Sequence, residues 1–387
     1  MSYSEMPKYP VVFVHGMYGW GDNEGINKKA PYWGATTGSL TEKLTERGCE
    51  CYCASVGPMS AAWDQACELY AQLTGTRVDY GVAHSKKFGH ERFGRTYEKP
   101  LFDGWGKDRK VHLIGHSFGG ICIRMFSHLL VNGAPEEVEA AGDDVSPFFK
   151  GGQNGLIASI TAICSPLSGT RAHIVVDKTG LIEPTKFLSL IYAGAVSKTS
   201  FGKKYTDFHM ERIRLTNLSG FAKDKTLHIA KKYYKNNDSI DYDISVKGSR
   251  ELNERIEILP DVYYFSYQYN MVKNNKPVSK IPILTLISGL MLKYAKNLPP
   301  EEAKYYREND GLIDVECAKY PYDEPHKDYS AADELLPGIW HAMPTLSGDH
   351  GKPIGLFADK NKTLSLYLEM FSRLAQTEKQ QSHSIKK

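Results

Sequence analysis

The stretch from Lys110 to Asn132 constrains this chain more than any other. Val111, Leu113 and Ile114 form a short apolar run suited to a buried strand, and Gly115-His116-Ser117-Phe118-Gly119-Gly120 follows at once. Ile121, Ile123, Met125, Phe126, Leu129 and Leu130 then recur at roughly helical spacing. A strand, a glycine-rich turn and an apolar helix are the setting in which G-x-S-x-G reads as a nucleophile elbow rather than as an ordinary turn. Small residues at 115 and 119 let strand and helix come close. Ser117 is then held at the top of a sheet and the amino end of a helix. There the dipole and free N–H groups favour a developing negative charge.

The rest of the composition fits a sizeable folded core. The chain has 387 residues, 41% hydrophobic and 24% charged, with a formal net charge of +3 spread over both signs. That balance gives no reason to expect nucleic-acid binding. No run of about 18 apolar residues exists, so no transmembrane segment is expected. Met1 to Pro10 lack the apolar centre of a signal peptide, so the sequence as written reads as cytoplasmic, or as secreted if a leader has been removed. The seven cysteines are odd in number and contain no C-x-x-C pair. They read as small buried hydrophobes in a reducing compartment.

In chain order, Tyr9 to Val14 is an apolar strand that runs into His15-Gly16-Met17-Tyr18-Gly19-Trp20. A strand followed by His-Gly upstream of an elbow is where an α/β hydrolase places half of its oxyanion hole. The donors are backbone N–H groups, here assigned to Met17 and Phe118. Ser39–Arg47 and Ser60–Leu73 read as helices, and Cys49–Val56 and Leu156–Cys164 as strands. Residues 74–100 form a long aromatic and basic loop without periodicity. His84 and His90 lie in it, six residues apart. Taken bare, they do not share a helix face and read as surface histidines.

From about 177 to 246 the strand rhythm stops. Thr185–Val196 and Thr226–Tyr234 read as helices of an insertion that is either a lid opening at a lipid surface or a fixed cap. Val262–Tyr267 is a strand, Pro282–Leu292 is strongly apolar, and Thr363–Leu374 is an amphipathic closing helix. Residues 376–387 read as a disordered polar tail behind a single domain of residues 1–375.

A serine nucleophile needs a base, and the base needs an acid. The chain order Ser, acid, His is met by Ser117, Asp310 and His350. Asp261, Asp314 and His341 also satisfy order alone. Turn context favours Asp310, between Asn309 and Gly311, and His350, in Ser347-Gly348-Asp349-His350-Gly351.

Several separated blocks then carry a resemblance. They are His15-Gly16 with Gly19-Trp20-Gly21, Val56-Gly57-Pro58, Trp63-Asp64 with Ala66-Cys67-Glu68, and Val78-Asp79-Tyr80-Gly81 with Ala83-His84. Gly89-His90, Arg92 to Tyr97, Tyr242-Asp243 and Glu308 to Gly311 complete the series. From roughly Pro10 to Leu374 the chain resembles the bacterial thermoalkalophilic lipases and, more distantly, the staphylococcal lipases.

The resemblance implies an α/β-hydrolase fold, with a mostly parallel central sheet flanked by helices, a helical lid and a zinc-stapled extra region. It implies a catalytic set of Ser117, Asp310 and His350, and a structural zinc held by Asp64, His84, His90 and Asp243. The family also binds calcium near its catalytic histidine. Here Lys352 and Phe357 stand where carboxylates are expected, so calcium is not predicted. Met17 and Phe118 also depart from the usual side chains, but both donate through the backbone.

The expected function is a triacylglycerol lipase acting on acylglycerols, with transient contact to a lipid interface through the lid. A phospholipase or broad-specificity carboxylesterase on the same triad is the alternative. A catalytically silent lipid- or partner-binding protein is the alternative from another class.

Overall fold

The computed structural model describes residues 5–180, 207–213 and 236–384. The expected helices at 185–196 and 226–234, and with them most of the lid, lie outside these residues.

Apolar strands of this kind are buried on both faces of a parallel sheet. Among the described residues the central sheet has seven strands: β1 (Val11–Val14), β2 (Cys51–Ala54), β3 (Val111–His116), β4 (Ile157–Ile163), β5 (Tyr263–Tyr267), the polar edge strand β6 (His326–Asp328) and β7 (Trp340–Ala342). Their order across the sheet is β6-β7-β5-β4-β3-β1-β2, and every neighbouring pair is parallel. The chain starts at β1, steps outward to β2, then returns to the other side of β1 as β3. Between β1 and β3 the winding reverses, and ligands bind outside the carboxyl ends of strands at such a switch point. Met17 follows β1 and Ser117 follows β3, so the fold brings both to that point.

Helices cover both faces. On one side α1 (Ala62–Thr74) and α2 (Phe118–Asn132) pack over Val12, Val14, Leu113 and Ile160. On the other, α3 (Lys360–Ser384) lays Tyr367, Met370, Phe371 and Leu374 against Phe13, Ile114 and Phe265. Each of these side chains is buried to within a few per cent, a contribution of about 1.5–3 kcal/mol apiece relative to exposure.

The chain departs from the sequence reading in two places here. The expected disordered tail is helical to Ser384 as the last turns of α3. Its Glu378 carboxylate accepts the N–H groups of Lys8 and Tyr9 at 2.9–3.0 Å and meets His112 Nε2 at 3.0 Å. Polar letters at the end of a chain look like a tail when their partners lie some 370 residues away. Residues 74–100 are not structureless either. Arg77–Asp79 pairs antiparallel with Phe93–Thr96, with a helix at Val82–Phe88 between them. None of the seven cysteines forms a disulfide, and six are buried.

Candidate active site

The elbow is tight for a steric reason. A Cβ on Gly115 would lie 2.4 Å from the Gly119 carbonyl carbon, and a Cβ on Gly119 would lie 2.2 Å from the Val14 carbonyl oxygen. Ser117 takes φ 56° and ψ −125°, a conformation that costs an L-residue of order 1–3 kcal/mol and persists only where surroundings impose it. Its N–H is tied to the Ile163 carbonyl at 2.8 Å. The strain turns the hydroxyl out of the helix and into a cavity.

Asp310 and His350 meet directly. His350 Nδ1–H donates to Asp310 Oδ2 at 2.7 Å, while Asp310 Oδ1 accepts the N–H groups of Leu312 and Ile313 at 2.9 and 2.7 Å. With Nδ1 holding the proton, Nε2 is left as a lone pair. The His350 N–H also donates to the Asp310 carbonyl at 2.9 Å. The His350 ring packs 4.7 Å from that of His116, the residue before Ser117, so the loops carrying Asp310, His350 and Ser117 adjoin.

The rival residues are otherwise engaged. His341 Nε2 is held at the Leu336 backbone. Asp314 caps the helix Val315–Lys319, and burial pushes its carboxyl up to about 6. Cys164 lies within ligand reach of His116 and His350. Three of the four imidazole nitrogens there are already hydrogen-bonded, which leaves no ligand set for a metal.

Met17 and Phe118 line one cavity of about 190 Å³ with Ser117. The Phe118 N–H opens α2, where the first N–H groups have no intrahelical acceptor. The Met17 N–H has no hydrogen-bond acceptor among the described residues. His15 lies beneath, its Nδ1–H donating to the Gly16 carbonyl at 2.9 Å. The cavity walls are mostly apolar: Val176, Ile244, Ile287, Leu312 and Ile313. Ile287 belongs to the helix Pro282–Ala295, whose first turns leave Ile283 and Leu286 more than half exposed. A larger cavity of about 650 Å³ lies elsewhere, beside Trp63 and Asp238, and contains no nucleophile of the elbow. Lys352, after the base, donates its ammonium to the Phe357 carbonyl.

A second cluster is buried beside α1. His84 Nε2 lies 3.4 Å from Asp64 Oδ1 and 3.3 Å from Asp238 Oδ1, and His90 Nε2 lies 3.8 and 3.5 Å from the same two carboxylates. A tetrahedral zinc with bonds of 2.0–2.1 Å separates its ligand atoms by about 3.4 Å, so the spacing fits. The chemistry fits too. Asp64 Oδ1, Asp238 Oδ1 and both Nε2 atoms are buried without a hydrogen bond, a costly arrangement unless something sits between them. His90 Nδ1–H donates to the Glu91 carbonyl at 2.8 Å, which aims the Nε2 lone pair inward. Trp63 stacks on the His84 ring at 4.9 Å and 9°. Arg212 Nη1 reaches Asp64 at 2.5 Å and Asp238 at 3.2 Å.

The candidate cluster therefore differs from the expected ligand set. Asp238 stands in the cluster, and Asp243 does not. Asp243 accepts the Ala62 N–H at 2.8 Å from the helix Ile240–Ile244 and caps α1. Burial, with Asp238 and Asp64 nearby, holds its carboxyl well above the usual range. Spacing alone could not separate two aspartates five residues apart. Nor are His84 and His90 surface histidines, since both side chains are more than nine-tenths buried.

One buried charge pair ties the segment 207–213 to α1. His209 Nδ1 lies 2.9 Å from Glu68 Oε2, its Nε2 lies 3.8 Å from Glu24, and Arg95, Asp207 and His15 surround the group. Burial and Arg95 oppose charge on His209, but Glu68 and Glu24 outweigh them and raise it to about 10. A pKa raised on folding adds stability below the unfolded value, about 6.5, and loses it as pH climbs through the folded value. The unfolding free energy from urea titrations is expected to fall between pH 6.5 and 10, by no more than about 5 kcal/mol in total. In His209→Gln this slope should flatten. An unchanged slope would mean that His209 is not the titrating group.

Comparisons with known proteins give the family and the fold. Residues 7–384 match the family described as lipase-like, C-terminal domain. Lipase 1 of Staphylococcus aureus is 31% identical over 357 residues, 87% of this chain and 49% of that one. The chain spans about half the length of the curated relatives it matches. The crystal structure of Staphylococcus hyicus lipase superposes with a TM-score of 0.85 at 30% identity, over 99% of this chain and 100% of that one. EstA from Clostridium botulinum gives a TM-score of 0.79 at 32% identity, over 97% and 89%. On the matched family and the shared α/β-hydrolase-like sheet, the chain belongs to the lipase-like, C-terminal domain family.

Proposed function

We propose that this chain is a carboxylic-ester hydrolase, a lipase whose substrates are acylglycerols. The observation that carries the reading is a strained serine opening into an apolar cavity beside an Asp310–His350 pair. Ser117 Oγ attacks the ester carbonyl carbon, and its proton passes to His350 Nε2. Asp310 stabilises the resulting imidazolium through Nδ1–H. The N–H groups of Met17 and Phe118 receive the tetrahedral oxyanion. His350 then protonates the departing alcohol, leaving an acyl-serine. Water, deprotonated by His350, releases the fatty acid. The apolar cavity takes the acyl chain, and Ile283 and Leu286 present an apolar rim to a lipid surface.

The four-residue cluster would hold a zinc ion through Asp64, His84, His90 and Asp238. Its chemistry there is structural, a closed site without an open position. It joins α1, the loop 74–100 and the segment that leads into the helix Ile240–Ile244.

The test is a series of acyl esters from short to long, measured above and below their solubility limits, with phospholipid emulsions in parallel. Rates should rise with chain length, jump at the emulsion boundary and fall about 10⁴-fold or more in Ser117→Ala. A preference for phospholipid would make it a phospholipase, and a peak on short soluble esters a carboxylesterase. Wild-type rates equal to those of the alanine variant would leave a lipid-binding protein without turnover.

A further inference from the structure

Two buried side chains outside the triad join the oxyanion loop to the base. The Gly16 N–H donates to Tyr32 Oη at 3.0 Å, Tyr32 Oη lies 2.8 Å from His116 Nδ1, and His116 Nε2 lies 3.0 Å from the His350 carbonyl oxygen. Tyr32 is 8% exposed, His116 2% and His350 7%.

The chemistry leaves one assignment of hydrogens. A carbonyl oxygen only accepts, so His116 Nε2 carries the proton. A neutral imidazole has one such proton, so Nδ1 is a lone pair and receives the Tyr32 hydroxyl. The Tyr32 oxygen in turn receives the Gly16 N–H. Each donor in the chain is matched with an acceptor only while His116 is neutral. Burial, with His350 nearby, also holds the His116 pKa well below its usual value. The neighbouring base can therefore take a proton without His116 competing for it.

We propose that Tyr32 and His116 are positioning residues for ester hydrolysis, forming a hydrogen-bonded bridge that sets the oxyanion loop at Gly16-Met17 against the backbone of His350. The inference rests on the ester-hydrolase reading above. The two halves of the site come from opposite ends of the chain, and this bridge connects them behind Ser117. A misplacement of about 1 Å between reacting groups can cost about 100-fold in rate. Neither residue touches substrate, so the effect belongs in kcat.

Tyr32→Phe removes one oxygen from the bridge and keeps the ring. It should lower kcat about 10- to 100-fold and leave KM within about twofold. His116→Phe should do the same, and the double variant should be no worse than either single one, because both cut one bridge. His116→Gln keeps an acceptor and a donor on one planar group and should recover most of the rate. Active-site titration with a fluorophosphonate corrects each kcat for unfolded protein. Wild-type kcat in Tyr32→Phe, or additive losses in the double variant, would overturn the proposal.

A readout independent of turnover separates this proposal from the reading beneath it. Imidazole nitrogen shifts in labelled wild-type protein should report His116 as the neutral Nε2–H form from pH 5 to 9. A protonated ring, or the Nδ1–H form, would break the bridge whatever the activity. Wild-type activity no greater than that of Ser117→Ala would instead sink the hydrolase reading, and a positioning role in hydrolysis would fall with it.

Discussion

Asp310→Asn is expected to lower kcat by about 10⁴-fold with the fold intact, the magnitude seen when a triad acid loses its charge. The geometry explains why the change is so severe. Oδ1 of Asp310 accepts two backbone N–H groups, from Leu312 and Ile313. In the asparagine variant the carbonyl oxygen must stay there, because an NH₂ group cannot face two donors. The amide NH₂ therefore points at His350, where Oδ2 now accepts Nδ1–H. His350 must then offer Nδ1 as an acceptor, which moves its proton to Nε2. A base protonated at Nε2 cannot take the Ser117 proton. Steady-state kinetics alongside circular dichroism checks this. A loss below about tenfold would mean that Asp310 is not the acid. Asp314→Asn is the control: it keeps a cap on the helix Val315–Lys319 and lies outside the His350 hydrogen bond.

The elbow was legible because its physics is local. Gly115, Ser117 and Gly119 are close in sequence, and the clash that keeps Gly115 small is with the helix that follows it, although Gly119 is kept small by the Val14 carbonyl of the neighbouring strand. The Asp310 turn was legible for a similar reason, since Asn309 and Gly311 shape it from either side. Tyr32 and His116 were not. A tyrosine between Pro31 and Trp33 carries no pattern, and its partners, Gly16 and His116, are 16 and 84 residues away. Glu378 was misread as tail for the same cause. The signal for His116 was in plain view, as the variable position of G-x-S-x-G, but a motif assigns no work to its variable letter. Family resemblance rescued His84 and His90 from the reading as surface residues. It put Asp243 with them, whereas the fold brings Asp238 to the histidines: Asp238 precedes the helix Ile240–Ile244 and Asp243 lies within it, and sequence spacing does not say which of the two faces the histidines.

That difference gives the other large expected effect. Asp238→Asn should abolish stoichiometric metal binding, whereas Asp243→Asn should keep about one zinc per chain. Asp243 acts as an acceptor for the Ala62 N–H, and an amide oxygen performs that role equally well. Asp238 supplies negative charge at a buried point where His84, His90 and Asp64 converge. Removing the ion leaves Asp64 and Asp238 buried with Arg212 as their one neighbouring fixed cation among the described residues. Leaving a buried charge uncompensated costs about 3–5 kcal/mol. For a chain of this size that corresponds to roughly 4–6 °C in Tm. His84→Ala should lose the metal as well, and should also free one face of Trp63, which stacks on the imidazole. Metal analysis of each purified variant, with thermal melts before and after a strong chelator, reads both effects. Chelation should lower the wild-type and Asp243→Asn melting points together and leave Asp238→Asn where it already is. If instead Asp243→Asn lost the ion and Asp238→Asn kept it, the segment around the helix Ile240–Ile244 would have to turn its other face to α1. The cap on the Ala62 N–H would be lost with that turn. A protein that carried no zinc and melted unchanged would require four buried, unpartnered ligand atoms to be stable by themselves, which the cost of burying polar groups argues against.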